Sequence, residues 1–299
     1  TGASLTVRVE RSGRLLVLMA AVLFSTGGAV IKAVDFPAWQ IAGLRSGIAF
    51  LTILILLPGS RRGWSWRGGL VGVSYAGTLV CYVLAHRLTT AASTIFLQST
   101  APLYVLFLAP WLLGEKLRRV DLVFMLAMIV GLLPFFLGPQ VAVGTAPNPP
   151  AGNLLASAAG VLWALTEVGL RWLSRRGEGA SAGSAVAIGN LLVFATCLPM
   201  ALPLARGSAT DWLLITVLGA VQVALAYVFL TKGLRRTLAF EASLLLLLEL
   251  VLNPLWAWLV HGEAPGRWPL VGGALILMAT AAKSVWEGRR SRLPWAPSG

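Results

Sequence analysis

The sequence predicts an all-α integral membrane protein with ten transmembrane helices, arranged as two inverted five-helix repeats. Of its 299 residues, 57% are hydrophobic and only 12% are charged. The apolar residues form ten stretches of roughly 20, the length that crosses the hydrocarbon core of a bilayer as a helix. The loops between them leave no room for a globular catalytic domain, so we expect any functional site to lie between helices. The predicted spans are 15–34, 37–57, 66–86, 90–112, 120–138, 152–173, 184–204, 211–231, 238–260 and 268–287.

The basic residues predict the orientation of these spans. With a cytoplasmic N-terminus, nineteen of the 24 lysines and arginines fall on the cytoplasmic side. Only Lys32, Arg87, Arg206 and Arg267 fall on the opposite side, and Arg45 alone lies inside a span. The positive-inside rule predicts this distribution. We therefore expect a multi-pass protein of the bacterial inner membrane with both termini cytoplasmic, whose basic loops face anionic lipid headgroups.

The net charge of +13 does not indicate a nucleic-acid partner. A nucleic-acid interface needs a basic face, and outside the spans the sequence has no basic face with interleaved aromatic residues. The expected partners are a small-molecule substrate and the lipid bilayer. The oligomeric state cannot be deduced from this sequence.

The beginning of the chain fits two interpretations. Arg8, Arg11 and Arg14 precede an apolar run at 15–23, as in a removable secretory signal. A retained first transmembrane helix is the favoured interpretation, because removal of this segment would leave nine spans and destroy the symmetry of the two halves.

No signature of an enzyme, a metal site or a cofactor is present. Cys81 and Cys197 lie mid-span among apolar residues and are interpreted as packing residues. His86 and His261 are the only histidines, and neither has ligand spacing to a cysteine or a carboxylate. The sequence around Gly114 lacks the glycine and lysine spacing of a phosphate-binding loop. Transport driven by ATP is therefore not expected, and gradients must supply the energy.

The two halves of the chain resemble each other. A proline-rich external linker, 139–151, separates a first repeat, 14–138, from a second repeat, 152–288. The matches, in the same order in both halves, are Val22-Leu23-Phe24 with Val161-Leu162-Trp163, Tyr82-Val83 with Tyr227-Val228, and Gly114-Glu115 with Gly262-Glu263. Because five spans is an odd number, a second copy must insert upside down. Inverted repeats of this kind are typical of secondary transporters, which bind substrate near the midplane between the repeats.

At these positions the chain resembles the drug/metabolite transporter superfamily, in its EamA-type branch. The resemblance rests on Leu88-Thr89-Thr90-Ala91-Ala92-Ser93, Ala101-Pro102, Leu113-Gly114-Glu115-Lys116-Leu117, Ala239-Phe240-Glu241-Ala242-Ser243 and His261-Gly262-Glu263. It covers about residues 14 to 288, and within the family the chain looks most like the bacterial aromatic amino-acid exporters. It implies an inner-membrane protein that moves solutes outward by alternating access. In the second copy Pro254 lies closer to its Gly-Glu than Pro102 does in the first, which departs from exact symmetry.

Polar groups at bilayer depth are costly, so they usually face protein or a water-filled cavity. Glu249 lies near the centre of the ninth span, and Asn253 follows one turn later on the same face. We predict that Glu249 binds a proton or a substrate ammonium group. Arg45 fits two interpretations equally, a transport role or a structural ion pair with a residue such as Glu249. Glu167, in the sixth span, is a further ionisable residue predicted at bilayer depth.

The remaining candidate residues predict a cavity for flat or apolar side chains. Trp163 lies mid-span, unlike the other tryptophans near span ends, and with Tyr82, Tyr104 and Tyr227 it could stack against a substrate. Polar partners for an amino-acid backbone are Gln98, Gln222, Asn190, Ser243, Ser25 and Thr26. Spans one to four and six to nine should line the cavity, with five and ten peripheral. Gating is expected near Gly27, Pro102 and Pro254, where glycine and proline weaken helices.

The sequence therefore predicts a secondary exporter of amino acids, with aromatic types favoured, or of related metabolites. Alternatives are an exporter or uniporter of other metabolites or cationic drugs. An intramembrane lipid-modifying enzyme would need paired catalytic groups at interface depth, and a non-transporting scaffold would have no reason to bury Glu249 and Asn253.

Overall fold

The computed structural model describes residues 2–177, 181–204 and 206–291. Apart from one isolated bridge between Val143 and Ala146, the regular structure of these ranges is helical. The helices are α1 (Gly2–Ser25), α2 (Gly27–Ala33), α3 (Ala38–Leu56), α4 (Trp66–Leu88), α5 (Ala91–Gln98), α6 (Ala101–Leu113), α7 (Arg119–Leu137), α8 (Pro149–Arg175), α9 (Ser181–Ala201), α10 (Ala209–Thr216), α11 (Ala226–Leu234), α12 (Ala239–Leu246), α13 (Leu248–His261) and α14 (Arg267–Ser291). A short 3₁₀ turn, Pro58–Arg61, follows α3, and a π-helical segment, Val217–Leu225, joins α10 to α11.

Within the described residues, ten helical segments are long and apolar enough to cross a membrane, which confirms the predicted number of spans. The first span joins α1 to α2, the fourth α5 to α6, the eighth α10 to α11, and the ninth α12 to α13. The sixth span begins at Pro149, so the helix includes the last three residues of the predicted linker. Arg292, one of the cytoplasmic charges in the prediction, lies outside the described residues.

Side-chain caps fix several helix starts. Ser65 Oγ accepts a hydrogen bond from Gly68 N before α4, and Thr90 Oγ1 accepts one from Ser93 N before α5, both at 3.1 Å. Asn148 caps α8, whose first two residues are prolines. Proline is tolerated there because a backbone N–H in the first turn would have no partner within the helix. Short polar side chains at helix starts satisfy backbone N–H groups that have no partner within the helix. These caps explain why short polar loops suffice between long apolar helices.

The fourth and ninth spans end in the same way. Gly114 and Gly262 adopt left-handed backbone angles, with φ of 67° and 64°. In each case the glycine N–H and the next N–H return to carbonyls of the last turn, namely Gly114 to Pro110, Glu115 to Ala109, Gly262 to Trp258 and Glu263 to Ala257. This is a Schellman end, which favours glycine because other side chains strain at positive φ. The repeated Gly-Glu pair is therefore a repeated local structure, which supports the predicted duplication.

Glycines bring neighbouring spans close together. A Cβ added at Gly43 would lie 3.2 Å from Cys197 Cβ, and one at Gly47 would lie 2.6 Å from the ring of Phe194. Both contacts join α3 to α9, as the four-residue glycine spacing predicts. The first span bends at Thr26, and α1 packs against α11 and α13. The contacts of α3 with α9 pack the second span against the seventh, and the contacts of α1 make the first span part of the bundle.

Candidate functional site

A cavity of about 340 Å³ lies between the two halves of the chain. Its lining comes from the first, second, third, fourth, sixth, eighth, ninth and tenth spans. The residues are Phe24, Arg45, Tyr75, Thr78, Leu79, Tyr82, Ile95, Gln98, Ser99, Ala101, Pro102, Trp163, Glu167, Gln222, Val223, Tyr227, Leu230, Ser243, Leu246, Leu247, Glu249, Leu250 and Thr280. The prediction of a peripheral tenth span is corrected by Thr280. The seventh span, which was expected to contribute, provides no lining residue in the described part of the chain.

Aromatic side chains form much of the cavity wall. Tyr75 and Trp163 face each other with ring centroids 6.1 Å apart and planes inclined at 51°. Tyr82 and Tyr227 also line the cavity, as predicted, and so does Phe24. Phe24 corresponds to Trp163 in the matched halves, and Tyr82 corresponds to Tyr227. The matched aromatic residues of the two halves therefore meet at one cavity.

Two opposite charges reach the cavity without neutralising each other. Arg45, in α3, is 1% exposed, and its Nε and Nη1 atoms have no hydrogen-bond partner among the described residues. Its guanidinium carbon lies 5.8 Å from the centroid of the Tyr82 ring. Glu249, in the first turn of α13, lines the same cavity. The ion pairs of the described residues do not include one between Arg45 and Glu249, so that structural interpretation of Arg45 is wrong.

Tyr104, Asn190 and Asn253 were predicted to bind substrate but lie outside the cavity lining. Tyr104 packs among apolar residues between α6 and α8, where α8 approaches closely at Gly160. Asn190 is fully buried and donates a hydrogen bond to the Val186 carbonyl of its own helix. Asn253 shares a helix face with Glu249 but lies deeper, fully buried between spans. Sequence spacing gives the face of a helix and not the neighbour that covers it, which is why these predictions differ from the structure.

Asn253 instead joins a polar cluster beside the cavity. Its Nδ2 atom lies 3.5 Å from the Tyr82 hydroxyl. A Cβ added at Gly28 would lie 2.6 Å from Asn253 Oδ1 and 2.7 Å from His86 Nε2. Asn253 therefore contacts the first and third spans, and holds Tyr82 on the cavity wall.

The other predicted polar residues divide between cavity and helix. Gln98, Gln222 and Ser243 line the cavity. Ser25 and Thr26 donate to carbonyls of the preceding turn, those of Val22 and Leu23. Ser25 also accepts a hydrogen bond from the Trp256 indole at 3.0 Å.

The helix breaks coincide only partly with the predicted gating residues. Gly27 begins α2, directly after the bend at Thr26. In the fourth span the break is at 99–100, and Pro102 falls in the first turn of α6 and lines the cavity. The ninth span breaks at Leu247, seven residues before Pro254, and α13 continues through Pro254 as a helix. Pro254 therefore does not mark the break, although the predicted discontinuity of the span is present.

Sequence reasoning missed several lining residues. Phe24 had a usable signal, because it matches Trp163 in the repeat. Thr78, Ser99 and Thr280 had none, since a small hydroxyl in an apolar helix commonly bonds back to the preceding turn. Thr280 does so, to the carbonyl of Ile276.

A buried ion pair closes one end of the bundle. Lys32 Nζ lies 2.8 Å from Glu263 Oε2, and the two side chains are 5% and 3% exposed. Lys32 also donates to the carbonyls of Thr89 and Thr145, and Glu263 Oε1 accepts a hydrogen bond from Ala91 N at 2.6 Å. These contacts tie the first span, the fourth span, the linker and the end of the ninth span together.

A related but exposed cluster lies at the opposite end of the bundle, which carries most of the basic loops and is called the basic end below. Glu115 pairs with Arg175 and, at 3.8 Å, with Arg171; the carboxylate is 36% exposed and each arginine 52%. The spacing that matches Phe24 to Trp163 also matches Lys32 to Arg171, and Glu263 matches Glu115. Each glutamate thus pairs with a cation of the other half, one pair buried and the other exposed.

The packing of the broken helices differs between these ends. Towards the buried ion pair, α5 contacts α13. Towards the basic end, α6 packs on α8, while α12 packs on α1 and α14. The cavity is lined by residues on both sides of the two helix breaks, on α5 and α6 and on α12 and α13, so it lies at the level of the breaks. In the described residues no cluster of histidine, cysteine and carboxylate side chains could hold a metal ion.

Comparison with known proteins gives a family and several relatives. The model of the EamA-like transporter family matches residues 11–137 and again 150–283. The pseudopaline exporter CntI of Pseudomonas aeruginosa is 28% identical over 92% of this chain and 96% of its own length. The aromatic amino acid exporter YddG of Ancylobacter novellus is 27% identical over 73% and 70%. A riboflavin transporter of Rhizobium johnstonii is 27% identical over 97% of both chains. A crystal structure of another protein, 23% identical, superposes with a TM-score of 0.62 over 95% of this chain and 99% of that one, and shows the same fold.

Proposed function

The chain belongs to the EamA-like transporter family, and from this premise we propose that it exports amino acids, with aromatic types favoured, or related small metabolites by alternating access. Family membership gives the general function: the protein is a multi-pass membrane transporter of small metabolites, and not an enzyme. Relatives of this chain include exporters of pseudopaline and aromatic amino acids and a riboflavin transporter, so family membership leaves the substrate open.

The observation that carries the aromatic preference is the cavity wall. Phe24, Tyr75, Tyr82, Trp163 and Tyr227 come from four different helices and meet around one space of about 340 Å³. A volume of this size lies at the small end of ligand pockets. Aromatic pairs contribute about 0.5–1.5 kcal/mol beyond the burial of their surface. A substrate with one flat ring fits both the size and the chemistry.

Glu249 supplies the polar half of the proposal. Its carboxylate faces the cavity from the start of α13 and forms no ion pair with Arg45. A carboxylate at this depth is costly unless it faces water, a proton or a cation. It binds a substrate ammonium group or a proton in the proposed cycle, with energy drawn from gradients.

The charge distribution supports the proposed location. The distribution of basic residues supports an orientation with both termini on the cytoplasmic side of a bacterial inner membrane. In that orientation the buried Lys32–Glu263 pair lies at the outer end of the bundle, opposite the side from which an exporter takes up its substrate. Labelling of introduced cysteines at the two termini with an impermeant reagent tests this orientation.

Counterflow in proteoliposomes that contain the purified full chain tests the function. The panel contains tryptophan, phenylalanine, leucine, lysine, a nucleoside, riboflavin and tetraphenylphosphonium. We expect the fastest exchange with tryptophan and phenylalanine. Preferred exchange of tetraphenylphosphonium would favour a cationic-drug exporter, and no exchange of any solute would contradict the proposal.

Two variants connect the result to the cavity. Glu249→Gln should abolish or strongly slow exchange, and wild-type flux with an unchanged pH dependence would contradict its role. Trp111→Ala is the control, because Trp111 is 88% exposed on the outer surface of the bundle and should leave exchange unchanged. Both proteins must first be shown to insert and to remain monodisperse.

A further inference from the structure

Arg45 is a buried cation that forms no ion pair among the described residues. It lies mid-span in α3, is 1% exposed, and is among the largest fully buried side chains of the described residues. Removing a guanidinium from water is costly unless hydrogen bonds or an opposite charge replace the lost hydration. Neither is present at its Nε and Nη1 atoms. A structural ion pair therefore does not explain this residue, and its side chain borders the cavity.

Within the described part of the chain, the contact found at the Arg45 guanidinium is with an aromatic ring. The Tyr82 ring centroid lies 5.8 Å from its guanidinium carbon, a distance that permits a cation–π contact. The carboxylates that share the cavity, Glu249 and Glu167, form no ion pair with it. An arginine over an aromatic ring keeps its planar donors free for a carboxylate.

The backbone around Arg45 is held firmly. A Cβ added at Gly219 would lie 2.5 Å from the Arg45 carbonyl oxygen, so the π-helical segment and α3 are in direct contact. On the neighbouring turns, Gly43 and Gly47 hold α3 against α9. Because α3 is fixed on two sides, the unpaired donors keep a defined position at the cavity wall. This is the preorganisation that an anion-binding residue requires.

We propose that Arg45 is the anion-binding residue of the transport cavity, and that it recognises a carboxylate of the substrate. The inference rests on the proposed function and makes its substrate class more specific. The carboxylate binds at Arg45, the ring packs against the aromatic wall, and the ammonium group is directed to Glu249. The preferred substrate is then a zwitterion with a ring, and a simple aromatic amine is a poorer one.

Three related probes separate the groups of such a substrate. Phenylalanine carries both charges, 3-phenylpropionate lacks the ammonium group, and phenethylamine lacks the carboxylate. Exchange of each probe is measured for wild type, Arg45→Gln, Arg45→Lys and the control Arg62→Gln, whose arginine is exposed at the basic end. We expect Arg45→Gln to raise the apparent KM about 10- to 100-fold for the two carboxylates, the range for a lost charge-assisted hydrogen bond. The KM for phenethylamine should stay within about twofold of wild type, and Arg45→Lys should restore part of the loss.

A structural role for Arg45 predicts a different pattern. If Arg45→Gln impairs all three probes equally, or leaves phenylalanine at its wild-type KM, the proposal is overturned. A binding measurement covers the case in which flux is absent. Millimolar 3-phenylpropionate should raise the thermal unfolding midpoint of detergent-solubilised wild type and Arg62→Gln, and should not raise that of Arg45→Gln.

These two readouts distinguish failure of the site from failure of the function. If 3-phenylpropionate raises the unfolding midpoint of wild type but not of Arg45→Gln, and no probe is exchanged, the proposed amino-acid transport is contradicted and the anion site at Arg45 is supported. Equal stabilisation of wild type and Arg45→Gln, or none in either, would overturn the anion site. Should Arg45→Gln fail to fold, Arg45→Lys carries the test, because its point charge should weaken a bidentate contact about tenfold for the carboxylates alone.

Discussion

Glu263→Gln removes one charge from the most buried ion pair in the described structure and changes little else. The glutamine keeps an oxygen that can accept the hydrogen bond from Ala91 N, so the variant isolates the pairing with Lys32. Lys32 is then left as a buried ammonium held only by the carbonyls of Thr89 and Thr145. Removing one partner of a buried pair costs about 3–5 kcal/mol. We expect a loss of unfolding free energy in this range.

The two halves of the chain provide a matched control. Glu115→Gln changes the corresponding glutamate in the other half, where the carboxylate is 36% exposed and its arginine partners are 52% exposed. Exposed pairs contribute less than about 1 kcal/mol, because water screens both charges. The unfolding free energy of each variant can be measured by SDS titration in mixed micelles, followed by tryptophan fluorescence.

A double variant tests the cause of the loss. Lys32→Met combined with Glu263→Gln removes both charges, so it should be more stable than the sum of the single effects by several kcal/mol. Equal losses in Glu263→Gln and Glu115→Gln would refute the argument from burial. Additive losses in the double variant would show that the two groups do not interact.

Three further predictions address the cavity and its walls. Gly28→Ala should lower the unfolding free energy by about 1–3 kcal/mol in the same titration, because the added Cβ meets Asn253 Oδ1 at 2.6 Å, whereas Gly59→Ala, with open space at its Cβ, should cost less than about 1 kcal/mol. Trp163→Ala should raise the apparent KM for phenylalanine roughly 2- to 12-fold, which corresponds to the loss of one aromatic pair. An unchanged KM would show that the ring of the substrate does not pack against Trp163. In Glu249→Gln, exchange of 3-phenylpropionate should be less impaired than that of phenylalanine, since only phenylalanine carries the ammonium group; equal impairment would contradict that contact.

The sequence predicts the ten spans well because hydropathy reports burial in lipid directly. Each stretch that is apolar over roughly 20 residues became a membrane-spanning helical segment. The matching residues of the two halves were also informative: Phe24 and Trp163 meet at the cavity, and Gly114 and Gly262 form the same helix end. Local signals of this kind depend on a few neighbouring residues and survive without knowledge of the tertiary structure.

Predictions that depended on neighbours in space were less successful. Helical spacing correctly gave Asn253 and Glu249 one face, but packing buries Asn253 beside Tyr82 and leaves Glu249 at the cavity. Proline content placed a hinge at Pro254, whereas the ninth span breaks at Leu247, where no proline or glycine occurs. Lys32 was predicted only to lie at the outer end of the first span, because nothing local connects it to Glu263, which is 231 residues away.

The aromatic lining has one more consequence, which concerns reversibility. Phe24 and Trp163, like Tyr82 and Tyr227, match each other in the two halves, so in the proposed alternating-access cycle a planar molecule between them meets similar surfaces from either side of the membrane. Similar surfaces give similar affinities on either side of the bilayer. The direction of net flow is then set by concentration differences and coupled ions, and the same pore walls can serve uptake and release alike.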